Sequence, residues 1–247
     1  MWVTLATVCL PASSQTSKGI SANPEQAKPQ PGRPAARDAN ADLQRVVAQM
    51  DHTAANFHTT QARFIWTQYN SVVNEISDIE KGTVYFRRAG KELQMAADIN
   101  DPPPPKYVLF TGSKVQVYQP KIDQVTQYET GKDRATFESF LVLGFGGSGQ
   151  DMLKSFDVSY QGTENLGGLD TAKLELVPKS EKARNTFNRI WLWIDPARGV
   201  SVRQKLFAPE GDYRLADYSD IKLNEKIPDN VFKLKTTGKT KVLAPKG

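Results

Sequence analysis

The chain of 247 residues carries one cysteine and two histidines. A single Cys excludes a disulfide framework and a Cys-rich zinc site, and so few histidines exclude a multi-His metal centre. No run approaches the ~20 apolar residues of a membrane-spanning helix, and mean hydropathy is -0.50. Charge of one sign is also scarce: 32 Lys and Arg stand against 27 Asp and Glu, well mixed, for a net +5. There is no basic stripe of the kind nucleic-acid binding requires. Neither a Gly-x-Ser-x-Gly elbow nor a His-Glu-x-x-His zinc motif occurs. The run Gly144-Phe145-Gly146-Gly147-Ser148-Gly149 has G-x-G-x-x-G spacing. It lacks the Lys-Ser/Thr ending of a phosphate loop and follows an expected helix, not a strand. No cofactor and no metal are therefore expected. What remains is a 39% hydrophobic chain, enough for one large β domain or two small ones.

Residues 2–10 are uncharged, and Pro11, Ala12, Ser13 and Ser14 follow. The pattern reads as the end of a secretory hydrophobic region with a cleavage zone, so 1–14 is a truncated signal segment; a frayed tail is the alternative. Cys9 raises lipidation, which its preceding residues fit poorly. Residues 15–37 are polar, with Pro24, Pro29, Pro31 and Pro34, and read as a disordered linker. The folded domain is expected over 38–235 and a basic flexible tail over 236–247.

Within the domain, Leu43, Val46, Val47, Met50, Ala54 and Phe57 recur at helical spacing, with Asp38, Asn40 and Asp42 as N-cap candidates. His52 and His58 lie on different faces. The period then switches to 2. Strands are expected at 62–69, 81–88, 92–98, 106–110, 114–119, 124–128, 157–161, 172–177, 189–194, 200–208, 212–218 and 231–234. Short Gly- and Pro-bearing turns between them favour antiparallel hairpins. The four prolines 102–105 mark an exposed connection or edge. Between the strand groups, 136–143 and 150–156 read as two short amphipathic helices split by a glycine hinge. The fold class is thus mainly β, with about eleven strands in a sheet that curls to protect its edges and helices over its mouth.

The order of these segments carries a resemblance. Leu43-Gln44-Arg45-Val46-Val47 leads to Phe57-His58 and Ala62-Arg63-Phe64, then to Gly82-Thr83-Val84-Tyr85-Phe86-Arg87-Arg88. The most specific piece is Gly112-Ser113-Lys114-Val115-Gln116-Val117-Tyr118-Gln119-Pro120, followed later by Leu176-Val177-Pro178, Ile190-Trp191-Leu192-Trp193-Ile194-Asp195 and Phe232. This resembles the periplasmic outer-membrane lipoprotein carrier (LolA) family over roughly residues 42–235. The resemblance implies an incomplete, strongly curved antiparallel β-barrel with a helical lid over an apolar cavity. It implies a periplasmic carrier that takes acylated lipoproteins from an inner-membrane ATP-driven exporter to an outer-membrane receptor. It also implies an arginine latch on the lid, which Arg88 matches with Arg87 beside it. The family's Arg-Pro and downstream Trp are replaced here by Ala89 and by Gln94 or Met95. That departure admits an envelope lipid-binding or stress-sensing relative with a protein partner.

A carrier needs a roomy apolar lining. The candidates on strands are Phe64, Trp66, Tyr85, Leu93, Met95, Val115, Val117, Leu174, Leu176, Trp191 and Trp193; those on the lid are Phe137, Phe140, Leu141, Leu143, Phe145, Met152, Leu153 and Phe156. Plain core packing is the alternative for each. Several strands are apolar on both faces, so alternation does not say which face looks inward. No enzyme, no nucleic-acid partner and a monomer are expected. Acidic pairs such as Asp217 and Asp220 leave a carboxylate site as the catalytic alternative.

Overall fold

The computed structural model describes residues 36–90, 92–131 and 143–244. A 20-residue helix α1 (Ala36–Ala55) comes first. Asp38, Asn40 and Asp42 lie inside it and are not its N-caps; Asp38 sits in the first turn, where a carboxylate suits the helix dipole, and Asp42 pairs with Arg45.

The rest is mainly β. Strands β1 (Thr59–Asn70), β2 (Glu75–Ala89), β3 (Glu92–Asp101), β4 (Lys106–Thr111), β5 (Lys114–Gln119) and β6 (Gln124–Glu129) form an antiparallel meander. Helix α2 (Gly149–Ser155) precedes β7 (Phe156–Leu166) and β8 (Leu169–Pro178); a one-turn helix α3 (Glu181–Arg184) leads to β9 (Arg189–Asp195), β10 (Val200–Phe207) and β11 (Tyr213–Leu223). With a short final strand β12 (Lys241–Leu243), one sheet of twelve strands results, in the order β12-β6-β5-β4-β3-β2-β1-β11-β10-β9-β8-β7, open and curled. The first strand meets the next-to-last in the middle of this order, because β1 pairs with β11. The proline run forms the exposed β3–β4 connection.

Two expectations at the C-terminus are corrected. Residues 231–234 form no strand; a 3-10 turn, Asp229–Phe232, follows Pro228 instead, as a residue without an N–H suits a turn start. The final strand is β12 (Lys241–Leu243), within the expected tail, and it pairs in parallel with the sheet-end strand β6.

Register assigns the two faces. The inner face, towards α1, carries Phe64, Val84, Phe86, Leu93, Met95 and Phe110 on one half, in one cluster with Phe57 and Phe145. On the other half it carries Leu174, Leu176, Ile190, Leu192 and Ile194, packed with Val46, Val47 and Met50 of α1. The outer face of β3 and β4 is covered by the C-terminal segment, where Ile227 and Phe232 meet Ala96 and Leu109. Arg87 fastens this cover: it pairs with Asp229, its guanidinium stacks 4.1 Å from the Phe232 ring, and it donates to Gln94. At the far end Thr237 and Thr240 each donate to Asp123, both at 2.6 Å. The threonine hydroxyls hold the Asp123 carboxyl below its ordinary range, against an opposing effect of burial.

The β9–β10 turn seats α1. Asp195, buried, accepts from the backbone of Ala197 and from the Arg198 guanidinium at 2.6 Å. Gln49 and Thr53 of α1 donate to the carbonyls of Ala197 and Arg198. Gly199, at φ 62°, brings this turn against the helix backbone at Gln49, where a side chain would collide.

Candidate functional site

Between α1, the glycine-rich segment, α2 and the β2–β3 hairpin lies a cavity of about 1060 Å³. That is just above the ~300–1,000 Å³ typical of ligand sites. Met50, Phe57, Leu93, Leu143, Met152 and Phe156 line it together with the polar Asp51, His58, Arg88, Ser148, Gln150, Asp151 and Ser155. The inner-face cluster of Met95, Val108 and Val115 adjoins Leu93 and Phe57. No metal-binding group of three His, Cys, Asp or Glu occurs among the described residues.

The glycine-rich segment is packed, not hinged. Gly144, at φ 79°, lies so close to β10 that an added side-chain carbon would overlap Ser201. Gly146, at φ 81°, lies against the Phe57 ring in the same way. Both positions need glycine for conformation and for room. The segment is also hydrogen-bonded inward: the Ser201 amide donates to Gly144 O at 2.9 Å, and the Gln204 side chain donates to Leu143 O. Tyr218 adds its ring, edge-on to Phe145 at 4.6 Å; burial first, then Asp217, raises its hydroxyl above the ordinary phenol range. At the other end Ser148 caps α2 and donates 2.7 Å to Asp51 of α1.

Arg88 reaches this segment from β2. Its guanidinium donates to Gly146 O at 3.3 Å and lies 5.8 Å from the Phe57 ring. Arg87, one residue earlier, points to the outer face, because successive strand side chains alternate.

The expected lining separates by place. Leu93, Leu143, Met152, Phe156 and Arg88 line the cavity. Phe64, Met95, Val115 and Phe145 sit in the adjoining inner cluster. Val117 shares their face and is half-buried. Trp66 shares it too, but stands 38% exposed near Arg214. Leu174, Leu176 and Leu153 belong to the packed core beneath α1. Tyr85, Trp191 and Trp193 are corrections: all three point to the outer face. Ile190, Leu192 and Ile194 take the inner positions of β9, and smaller branched side chains fit the close approach of α1 where tryptophans would not. Phe137, Phe140 and Leu141, with the first expected lid helix, lie outside the described residues. Gln204, Ser201, Asp51 and Ser148 escaped the sequence reading. Gln204 was visible in principle, as a polar residue on the inner face of a core strand.

With this geometry in place, the family can be assigned. The profile of the family described as "Outer membrane lipoprotein carrier protein LolA" matches residues 48–235. The chain belongs to the LolA family. No curated protein matches it. Among solved structures it is similar to an uncharacterized conserved protein from Thermus thermophilus, at 11% identity and a TM-score of 0.52, covering 83% of this chain and 99% of that one. Mycobacterium tuberculosis lipoprotein LppX is similar at 15% identity and a TM-score of 0.45, over 76% of this chain and 98% of that chain. The Pseudomonas aeruginosa MucA/MucB complex contains a chain similar at 12% identity and a TM-score of 0.45, over 80% of this chain and 61% of that chain. At 11% identity the likeness to the Thermus thermophilus protein speaks to fold alone. None of the helices among the described residues is long and apolar enough to cross a membrane.

Proposed function

We propose that this LolA-family chain is a periplasmic carrier that holds the acyl chains of lipoproteins and ferries them from the inner to the outer membrane. In this reading an inner-membrane ATP-driven exporter loads it and an outer-membrane receptor unloads it. The protein acts by binding, not catalysis.

The observation that carries this reading is the 1060 Å³ cavity, lined by both apolar and polar side chains, that opens beside the apolar inner-face cluster. Each methylene removed from water contributes about 0.8 kcal/mol, so a dozen give roughly 10 kcal/mol before the ordering cost of association. Such binding needs area and shape more than directed polar contacts. Met50 and Met152 on the lining suit it, since thioether chains adapt to irregular ligands. Arg88 links the β2 strand to the glycine-rich segment by one hydrogen bond to Gly146 O. One such bond contributes about 1 kcal/mol net, few enough to be exchanged when the cavity loads or empties.

The test is titration of delipidated protein with a fluorescent acyl probe. Saturable uptake is expected, and Leu93→Asp should weaken it by more than tenfold with the fold retained by circular dichroism. Absence of saturable uptake by the unaltered protein overturns the carrier reading. Binding of an envelope protein that is indifferent to cavity loading would favour the sensing alternative.

A further inference from the structure

The outer face of the sheet is covered by the C-terminal segment only around β3 and β4. From the first half of β2 through β1, β11, β10 and β9 it carries an unusual set of side chains. In β2, Ile76 and Ile79 point outward at 47% and 46% exposure, while Glu75, Asp78 and Glu80 lie across from Asn70, Gln68 and Trp66 on the inner face. The usual assignment of apolar in and charged out is reversed. Tyr69 stacks on Tyr213 at 4.6 Å, and Trp191 meets Phe207 at 4.9 Å, so the aromatic surface continues across the strands.

Cations lie over these rings. Lys205 sits 3.7 Å from the Tyr213 ring centre, and Arg189 sits 4.3 Å from that of Phe207. Three acids of the outer face are engaged: Glu164 by Lys173, Asp217 by Arg203, Glu175 by the Trp191 indole; Glu75, Asp78 and Glu210, towards the hairpin tip, make no ion pair among the described residues. Neither Arg189 nor Lys205 makes an ion pair among the described residues. Burial first, then the like charges of Arg189 and Lys173, pull the Lys205 ammonium below its ordinary range, as expected of cations short of counter-charge.

At one end of this face the β1–β2 hairpin tip presents Val72 at 88% exposure and Val73 at 60%. The tip is built to hold them. The Asn70 side chain accepts from both their amides, and Ser71 donates twice to Asp212, each at 2.7 Å.

We propose that the β1–β2 tip and the adjoining outer face form a docking surface for an anionic lipid bilayer. Val72 and Val73 enter the acyl boundary. Tyr69, Tyr213 and Trp191 lie at headgroup level, where amphipathic rings are favoured. Lys205 and Arg189 meet lipid phosphates, an attraction of about 1 kcal/mol per cation near such a surface. A lipid interface accommodates a projecting aliphatic tip and a cationic aromatic face together, each at its own depth. The proposal does not depend on what the cavity binds.

The test is cosedimentation of the full chain with phosphatidylcholine vesicles, with and without phosphatidylglycerol. Salt-sensitive binding to the anionic vesicles is expected. The double variant V72D/V73D should lower partitioning on the order of a hundredfold, and R189Q/K205Q about thirtyfold. Both should leave thermal midpoint and acyl-probe titration unchanged, and loading the cavity with probe should leave vesicle binding unchanged. No binding to anionic vesicles, or equal binding by both variants, overturns the proposal. Capture of an acidic protein, or self-association, that needs Arg189 and Lys205 while vesicles are ignored also overturns it.

Discussion

Beneath α1, strands β8 and β9 bring Leu174, Leu176, Ile190, Leu192 and Ile194 to complete burial, whereas across the sheet fully buried Ala62 and Phe110 stand beside Phe64, Leu93, Met95 and Ala97, which retain between 6% and 9% exposure. Both sets stand on the inner face of one sheet and both come from alternating strands. The first is closed by a 20-residue helix whose apolar stripe lies directly on it. The second meets Phe57 and Phe145 at one side and the cavity at Leu93. A solid half anchors the helix and a looser half adjoins the space. The proposed carrier needs both, since a lid is useful only over a frame that does not move with it.

Substitutions can break or sharpen this contrast. The largest stability loss is expected in the packed half: Leu192→Ala should cost about 3–5 kcal/mol by urea denaturation, with no separate effect on probe uptake by the folded fraction. Gly144→Ala should follow at roughly 3 kcal/mol, combining left-handed strain with overlap at Ser201. If it proves neutral, the close packing of Gly144 against Ser201 does not require glycine. Met95→Ala, in the looser half, should cost only about 2 kcal/mol while changing probe affinity; a loss equal to that of Leu192→Ala would erase the distinction between halves. Arg88→Gln should cost about 1 kcal/mol or less and speed probe exchange in stopped-flow measurements. The smallest effect concerns the outer cover. Asp123 has a depressed pKa, so its contribution is complete at neutral pH and lost as pH falls through that depressed range, below the ordinary ~4. Acidification should therefore raise amide exchange at β12 before the sheet unfolds. Protection that is unchanged there would detach Asp123 from that role.

Strand positions were legible because period-2 alternation and Gly or Pro turns are local signals. Residues 114–119 emerged with the bounds expected, and most other strands proved longer than expected where polar ends continue the ladder. The glycine run is legible as a special place, but its local pattern does not show why glycine is needed there. Read alone, it suggests freedom; in the fold, Ser201, Phe57 and Val47 come so near that glycine is required for room. Likewise Trp191 and Trp193 suggested a greasy lining until register put Ile190, Leu192 and Ile194 inside. The hydrogen bonds from Ser148 to Asp51 and from Gln204 to Leu143 span 97 and 61 residues, far beyond any sequence window.

By itself, the amino-acid order determined a mostly antiparallel β chain with an amphipathic leading helix, without metal-binding or redox motifs, and with the segment order of a lipoprotein-carrier family. Only the tertiary structure decided which side of each doubly apolar strand faces the helix, and hence where the cavity lies. The reason is physical: alternation is a property of one strand, but inside and outside are defined by what packs against it.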